Sequence, residues 1–264
     1  HCESSAASDV YKRQKYGYEC SEAGSFAISS LKSATQALKN GAIDILVTAP
    51  IHKKNIQSEA FKFPGHTDYL NQELEGESLM FMITDKLKVA LVSDHIPLSV
   101  ITTYLTPETI EKKIFLLEQS LIQDFGIKKP KIAVLGINPH TGDNGVIGQE
   151  DDTLLRPLIK KQINEGKMIF GPFAADGFFG NKTYHEYDAI LAMYHDQGMI
   201  PFKTLSFGEG VNFTAGLNYI RTSPDHGTAM SIAGKGEANP SSFYNAMNQA
   251  RSIFLKRRKF KKLK

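Results

Sequence analysis

The sequence predicts an α/β protein on a largely parallel sheet, and three observations carry that expectation. Short apolar runs of strand length alternate with longer stretches of helical periodicity along most of the 264 residues. Several of those runs, such as IDILVTA at 43–49, are continuously apolar, the pattern of strands buried on both faces. No run of 18 apolar residues occurs, and 41% hydrophobic with 22% charged residues provides a sizeable core without a membrane-spanning helix.

Taken in order, Ser21 can cap a helix whose apolar positions Phe26, Leu31 and Leu38 lead to Gly41, a natural C-terminal stop. The strand at 43–49 follows, then a polar loop, Pro50-Ile51-His52-Lys53. Segments 79–84 and 88–93 read as strands around the turn Asp85-Lys86. Thr106-Pro107-Glu108 opens a long amphipathic helix that ends near Gly126. A buried strand at 131–137, a helix at about 149–165 and a third apolar strand at 188–194 come next. Pro240 starts a final helix that runs into a basic tail.

Composition excludes several function classes. Two cysteines, Cys2 and Cys20, are too few for a disulfide scaffold or a cysteine zinc site, so a cytoplasmic setting is expected. The formal charge of +3 comes from the tail: FLKRRKFKKLK holds seven Lys or Arg, leaving residues 1–253 net acidic. A basic nucleic-acid-binding body is therefore not expected, and the tail reads as the solvated end of a helix. Residues 1–14 form a non-native leader in this reading, because SSAASDVYKRQ at 4–14 looks like a translated sequencing-library adapter. The native chain is then expected to continue upstream.

Three histidines each end an apolar strand: His95, His140 and His195. In open α/β sheets ligands sit beyond the carboxyl ends of strands. Either each is a loop histidine bonded to backbone, or the three converge on one divalent metal with open positions for substrate. Asp94 and Asp196 stand beside two of them as candidates to orient the imidazoles. Such a set suits Zn, Co, Ni or Fe(II), and substrate oxygens in the open positions admit Mn or Mg. A second group is cationic and polar: His66 and Thr67 after Gly65, with Lys203, Asn212 and Arg221. Gly-His-Thr at a helix start offers N–H groups and a hydroxyl to an anion, and Lys203 and Arg221 flank a Gly-rich stretch read as open backbone. The third group, SPDHGTAMSIAGKGEANP at 223–240, contains no G-x-G-x-x-G, so a standard Rossmann dinucleotide site has no support.

Together these motifs resemble the 4-hydroxythreonine-4-phosphate dehydrogenase family of pyridoxal phosphate biosynthesis. The matching stretches are VTAPIHK (47–53), FPGHTDYL (63–70), VALVSDHIPL (89–98), GINPHTGDNG (136–145), LAMYHDQGMIPFK (191–203), GVNFTAGL (210–217) and RTSPDHGTA (221–229). The resemblance spans 15–253 almost continuously, while the family's opening strand and Gly-Asp-Pro-x-Gly-type loop have no counterpart. It implies the two-lobed α/β fold of the isocitrate and isopropylmalate dehydrogenases, with the active site in the cleft between lobes. Residues 15–60 and 205–264 would form a partial, incomplete first lobe with the NAD loop, and 61–204 a second lobe with the metal site and dimer contact. It implies that His95 and His140 of one subunit, with His195 of the other, hold a divalent metal (Zn, Mg, Co or Mn) at a homodimer interface. His66, Thr67, Lys203, Asn212 and Arg221 would bind the phosphorylated hydroxy-amino acid, and Asp225, His226, Gly227, Thr228 and Ala229 the adenosine of NAD. Lys203 is the candidate base, or else only pairs with a substrate anion.

The implied reaction is NAD-dependent oxidation of 4-phosphooxy-L-threonine to a 3-keto acid that decarboxylates to 3-amino-2-oxopropyl phosphate. Two other readings stand beside it: a 4-phospho-erythronate or 4-phospho-threonate dehydrogenase, and a metal-binding fragment without turnover. No nucleic acid or membrane partner is expected.

Overall fold

Burial of period two sorts the strand residues onto two faces of one eight-stranded sheet in the computed structural model, which describes residues 17–59, 61–63 and 65–262. The leader expected at 1–14 lies outside the described residues. The strands are β1 (Ile45–Val47), β2 (Gly76–Ile83), β3 (Lys88–Leu91), β4 (Ile132–Leu135), β5 (Ile169–Phe173), β6 (Ala189–Ala192), β7 (Val211–Leu217) and β8 (Ile220–Pro224). Their order across the sheet is β1-β8-β7-β2-β3-β6-β4-β5.

The expectation of a largely parallel sheet needs correction. β1–β8, β3–β6, β6–β4 and β4–β5 pair in parallel, but β8–β7, β7–β2 and β2–β3 are antiparallel and adjacent. The cause is the length of two connections. The links β2–β3 and β7–β8 are too short for a crossover and can only return the chain antiparallel. The stretch read as open Gly-rich backbone is therefore the β7–β8 hairpin. Its glycines hid an apolar alternation, Val211, Phe213, Ala215 and Leu217, all buried. Gly216 is required there: its φ is +83, and a Cβ would overlap the carbonyl oxygen of Glu77 on β2.

Helices cover both faces: α1 (Ser21–Lys39), α2 (His66–Glu73), α3 (Pro107–Gln123), α4 (Arg156–Asn164), α5 (Ala175–Gly180), α6 (His195–Ser206) and α7 (Ser241–Lys262). The cap of α1 is Cys20 rather than Ser21, its Sγ accepting from the Ala23 N–H at 3.3 Å. Thr106 caps α3 as expected, with Pro107 at the first turn. One face of the sheet carries Leu79, Phe81 and Ile83 into a core with Ile114, Leu117 and Ala250. The other carries Met80 and Met82 against Met199, Phe202 and Phe178. The expected 204/205 boundary lies within α6, and β2 of the one segment pairs with β7 of the other in the same sheet. No described helix is long and apolar enough to cross a membrane.

The basic tail is more than a solvated helix end. Arg257 on α7 is buried and forms a two-pronged ion pair with buried Asp124, the residue that ends α3. Its Nη1 also donates to the carbonyls of Leu217 (3.1 Å) and Tyr219 (3.2 Å), and Ser120 Oγ donates to Asp124 at 2.8 Å. One guanidinium thus joins α3, α7 and the β7–β8 turn. Asp124→Ala leaves that cation buried and unpaired, and urea unfolding should show a loss of about 3–5 kcal/mol. Most of that loss should return in an Asp124→Leu, Arg257→Met double variant, because no charge then remains to be compensated.

Candidate active site

Arg221 organises the cleft. It lies on β8 opposite Leu46 of β1, and its side chain is 2% exposed. Its Nε and Nη2 donate to Thr48 Oγ1 at 3.1 and 2.7 Å, and Nη1 donates to Thr214 Oγ1 at 3.2 Å. Burial lowers its pKa to about 10. Among the described residues no carboxylate pairs with it, so a cation sits in the interior held only by neutral hydroxyls. Such a charge is costly unless an anion joins it.

The cleft beside it, about 260 Å³, is lined by Arg221 with Gly65, His66, Thr67, Lys203, Asn212 and Asp225. His66 opens α2, where first-turn N–H groups have no helical partner and suit an anion. Burial first, then the Arg221 charge, pushes its pKa down to about 3, so its imidazole is neutral in ordinary buffers. Asn212 Oδ1 is buried without a partner, which leaves an acceptor for a ligand's hydroxyl or amine. Lys203, on the last turn of α6, reaches Asp225 Oδ1 at 3.3 Å. Burial raises the pKa of Asp225, with the Lys203 charge opposing. The Asp225 N–H points to Gly210 O (3.3 Å) and Ser242 Oγ (3.2 Å), which anchors the start of its loop.

β3, β6 and β4 are neighbours, so His95, His195 and His140 follow the carboxyl ends of three adjacent strands. The middle position of β6 changes the expected grouping. Within one chain His95 and His195 form a close pair, with ring centroids 5.9 Å apart, although His195 was expected to come from the other subunit. His195 Nδ1 lies 2.7 Å from Asp196 Oδ1, and His95 Nδ1 lies 3.9 Å from Asp94 Oδ2. Two imidazoles at that spacing fit a shared ion at about 2 Å from each nitrogen, with Asp196 orienting the His195 ring. Among the described residues no third His, Cys, Asp or Glu completes a metal-holding group in the chain. His140 stands in a 3-10 turn with φ +51.

The loop 225–229 separates two cavities. Asp225, His226 and Gly227 line the small cleft that also contains His95. Thr228 lines a larger cavity of about 720 Å³, and Pro50 and Ile51 border both. His52 Nδ1 faces no partner there although buried, an orphan that a ligand donor or acceptor would satisfy. Ala229 holds a left-handed φ of +52. The space and the orphan fit an elongated cofactor reaching from the larger cavity to the cleft.

The family described as "Pyridoxal phosphate biosynthetic protein PdxA" matches residues 2–250 of the chain. The chain belongs to the PdxA family. A 4-hydroxythreonine-4-phosphate dehydrogenase of Bacteroides thetaiotaomicron is 48% identical over 242 residues, 91% of this chain and 66% of that relative. The chain thus spans just under two thirds of that relative's length. The crystal structure of a 4-hydroxythreonine-4-phosphate dehydrogenase from Klebsiella pneumoniae superposes with TM-score 0.79 at 36% identity, covering 92% of this chain and 73% of that one. A terephthalate 1,2-cis-dihydrodiol dehydrogenase from Burkholderia xenovorans superposes with TM-score 0.64 at 25% identity, over 91% and 77% of the two chains.

In this PdxA-family chain the five residues expected to bind substrate all line one cleft. Sequence reading missed Thr48 and Thr214, the two hydroxyls that hold Arg221, and the pairing of Asp225 with Lys203. Thr48 lay in the quoted VTAPIHK, but nothing local to it announced a partner 173 residues away.

His66 makes the site acid-sensitive. Its folded pKa lies below the ordinary 6.5, so the unfolded chain binds more protons between the two values. Stability is complete above about pH 6.5 and falls as the pH drops towards about 3, by up to a few kcal/mol. Denaturant midpoints measured from pH 7 to pH 4 should fall less steeply in His66→Gln than in the parent chain.

Proposed function

We propose that the chain is an NAD- and divalent-metal-dependent 4-hydroxythreonine-4-phosphate dehydrogenase that oxidises 4-phosphooxy-L-threonine. The keto acid formed loses carbon dioxide to give 3-amino-2-oxopropyl phosphate, a step of pyridoxal phosphate biosynthesis. The observation that carries this reading is Arg221, a buried cation without a carboxylate on the wall of a polar cleft. A substrate anion supplies the missing charge in a desolvated, charge-assisted contact. Neutral His66, Thr67 and the α2 N-terminus add donors without adding charge.

NAD, when bound, accepts the hydride, and the metal, when bound, polarises the substrate hydroxyl. Residues 225–229 and the larger cavity would hold the adenosine end, and His95 with His195 would hold the metal. A homodimer belongs to this reading, since a histidine from a two-fold partner would complete a three-imidazole set. Lys203 handles the hydroxyl proton, with Asp225 fixing its amine beside the cleft. The arrangement in two lobes is likewise our proposal, with the cleft drawing residues from both segments.

Initial rates of NAD reduction with 4-phosphooxy-L-threonine, 4-phospho-erythronate and 4-phospho-threonate test the assignment. Highest kcat/KM is expected for the first; a higher value for either sugar acid would replace it, and no turnover of any would leave a binding fragment. Arg221→Met should lower kcat/KM by at least about 30-fold, the loss expected when a buried charge contact of about 2–5 kcal/mol is removed. Lys203→Arg should keep binding and lose kcat if the amine moves the proton, because a guanidinium stays charged.

A further inference from the structure

We infer that Ser93 and Gln197 are positioning residues whose side chains set the spacing of the three histidine-bearing strand ends, and thereby the affinity for a divalent metal. The inference rests on the metal reading above and goes beyond its ligands.

The backbone ladder between β4 and β6 ends at the pairing of Val134 with Leu191. Beyond it, Met193 N–H and Gly136 C=O would face each other across a gap without backbone partners. Gln197 closes that gap. Its Oε1 accepts from Met193 N at 2.7 Å, and its Nε2 donates to Gly136 O at 2.6 Å. Only a side-chain amide meets both demands at once, an acceptor for an N–H and a donor for a carbonyl.

On the other side of β6 the link is doubled. Ser93 N donates to Met193 O at 3.2 Å, and Ser93 Oγ donates to the same oxygen at 2.8 Å. Met193 is therefore held from both flanks, by Ser93 of the β3 end and by Gln197 to the β4 end. Ser93 precedes His95 by two residues, Met193 precedes His195 by two, and Gly136 precedes His140 by four. Past Gly136, the Asp151 carboxylate accepts from Ile137 N (2.8 Å) and Asn138 N (2.9 Å), which carries the restraint to the doorstep of His140.

The helix that presents Gln197 can lie this close only because residue 198 is glycine. A Cβ there would stand 2.8 Å from Leu91 Cδ2 and 2.9 Å from Ala192 Cβ, on β3 and β6. The motif His-Asp-Gln-Gly thus combines a candidate ligand, its carboxylate, the clasp and the close approach in four consecutive residues. Neither Ser93 nor Gln197 needs to touch metal or substrate for this role. Outer groups that hold a metal's ligands typically change its affinity about 10- to 100-fold.

Co2+ titration of the metal-stripped full chain, followed by the visible absorption of the bound ion, tests the inference. Gln197→Glu keeps the acceptor and loses the donor, and Ser93→Ala removes the hydroxyl from Met193 O. Both are expected to bind Co2+ at least about 10-fold more weakly, with a shifted absorption band. Thr35→Ala, which deletes another buried hydroxyl-to-carbonyl bond on α1, should bind as the parent does. His195→Ala should abolish binding. Parent-like Co2+ affinity and spectrum in both positioning variants, with binding lost in His195→Ala, would overturn the inference alone. Parent-like binding in His195→Ala would overturn the metal reading beneath it. If circular dichroism shows Gln197→Glu unfolded, Ser93→Ala decides, and parent-like affinity there overturns the inference.

Discussion

A guanidinium buried without a counter-ion among the described residues is the constraint around which this structure is arranged. Arg221 can occupy the interior because Thr48 and Thr214 accept from three of its nitrogens, Thr48 standing just past the end of β1 and Thr214 on β7, the two neighbours of β8. The hydroxyls satisfy donors but do not neutralise charge, so the low-dielectric cost of the cation persists. That residual cost favours an anion in the adjoining cleft. Burial, with the same charge adding to it, keeps His66 neutral, so the cleft gains a hydrogen-bonding group without His66 adding a fixed cation.

Sheet order explains how the other chemistry reaches this place. β3, β6 and β4 run parallel and side by side, so the turns after them open on one edge of the sheet. The antiparallel block β8-β7-β2 brings Arg221, Asn212 and Met80 to the same cleft from the other half of the sheet. Lys203 and Asp225 meet across the join, one on α6 and the other just beyond β8. Mixed topology is thus functional: a wholly parallel sheet would have no short hairpin with which to return Arg221 beside Thr214.

Much of the site was legible in the sequence because its residues sit at punctuation points. His95, His140 and His195 follow apolar runs, and His66 follows a glycine at a helix start; residue type and local pattern suffice for these. His66, Thr67, Lys203, Asn212 and Arg221, the residues expected to bind substrate, share one cleft. What local pattern could not give was partnership. The β7–β8 hairpin was masked by glycines, α6 by Gly198 and Pro201 within it, and the grouping of His95 with His195 follows from the order of strands, which sequence does not state. Arg257 shows the same limit at the tail. Among the described cations of that tail, Arg257 is the buried one, held on Asp124, and only tertiary packing distinguishes it.

The claim that Arg221 is a buried charge awaiting an anion is open to a direct measurement: thermal unfolding of the chain with and without inorganic phosphate, beside the same experiment on Arg221→Met. An anion that binds only the folded state raises its stability by mass action, about 2.7 kcal/mol at a hundredfold excess over Kd. The account predicts a phosphate-dependent rise in Tm for the parent chain and none for Arg221→Met. It also predicts that, without phosphate, the variant is at least as stable as the parent, because an apolar side chain replaces an unpaired buried charge. An equal phosphate response in both proteins would contradict it.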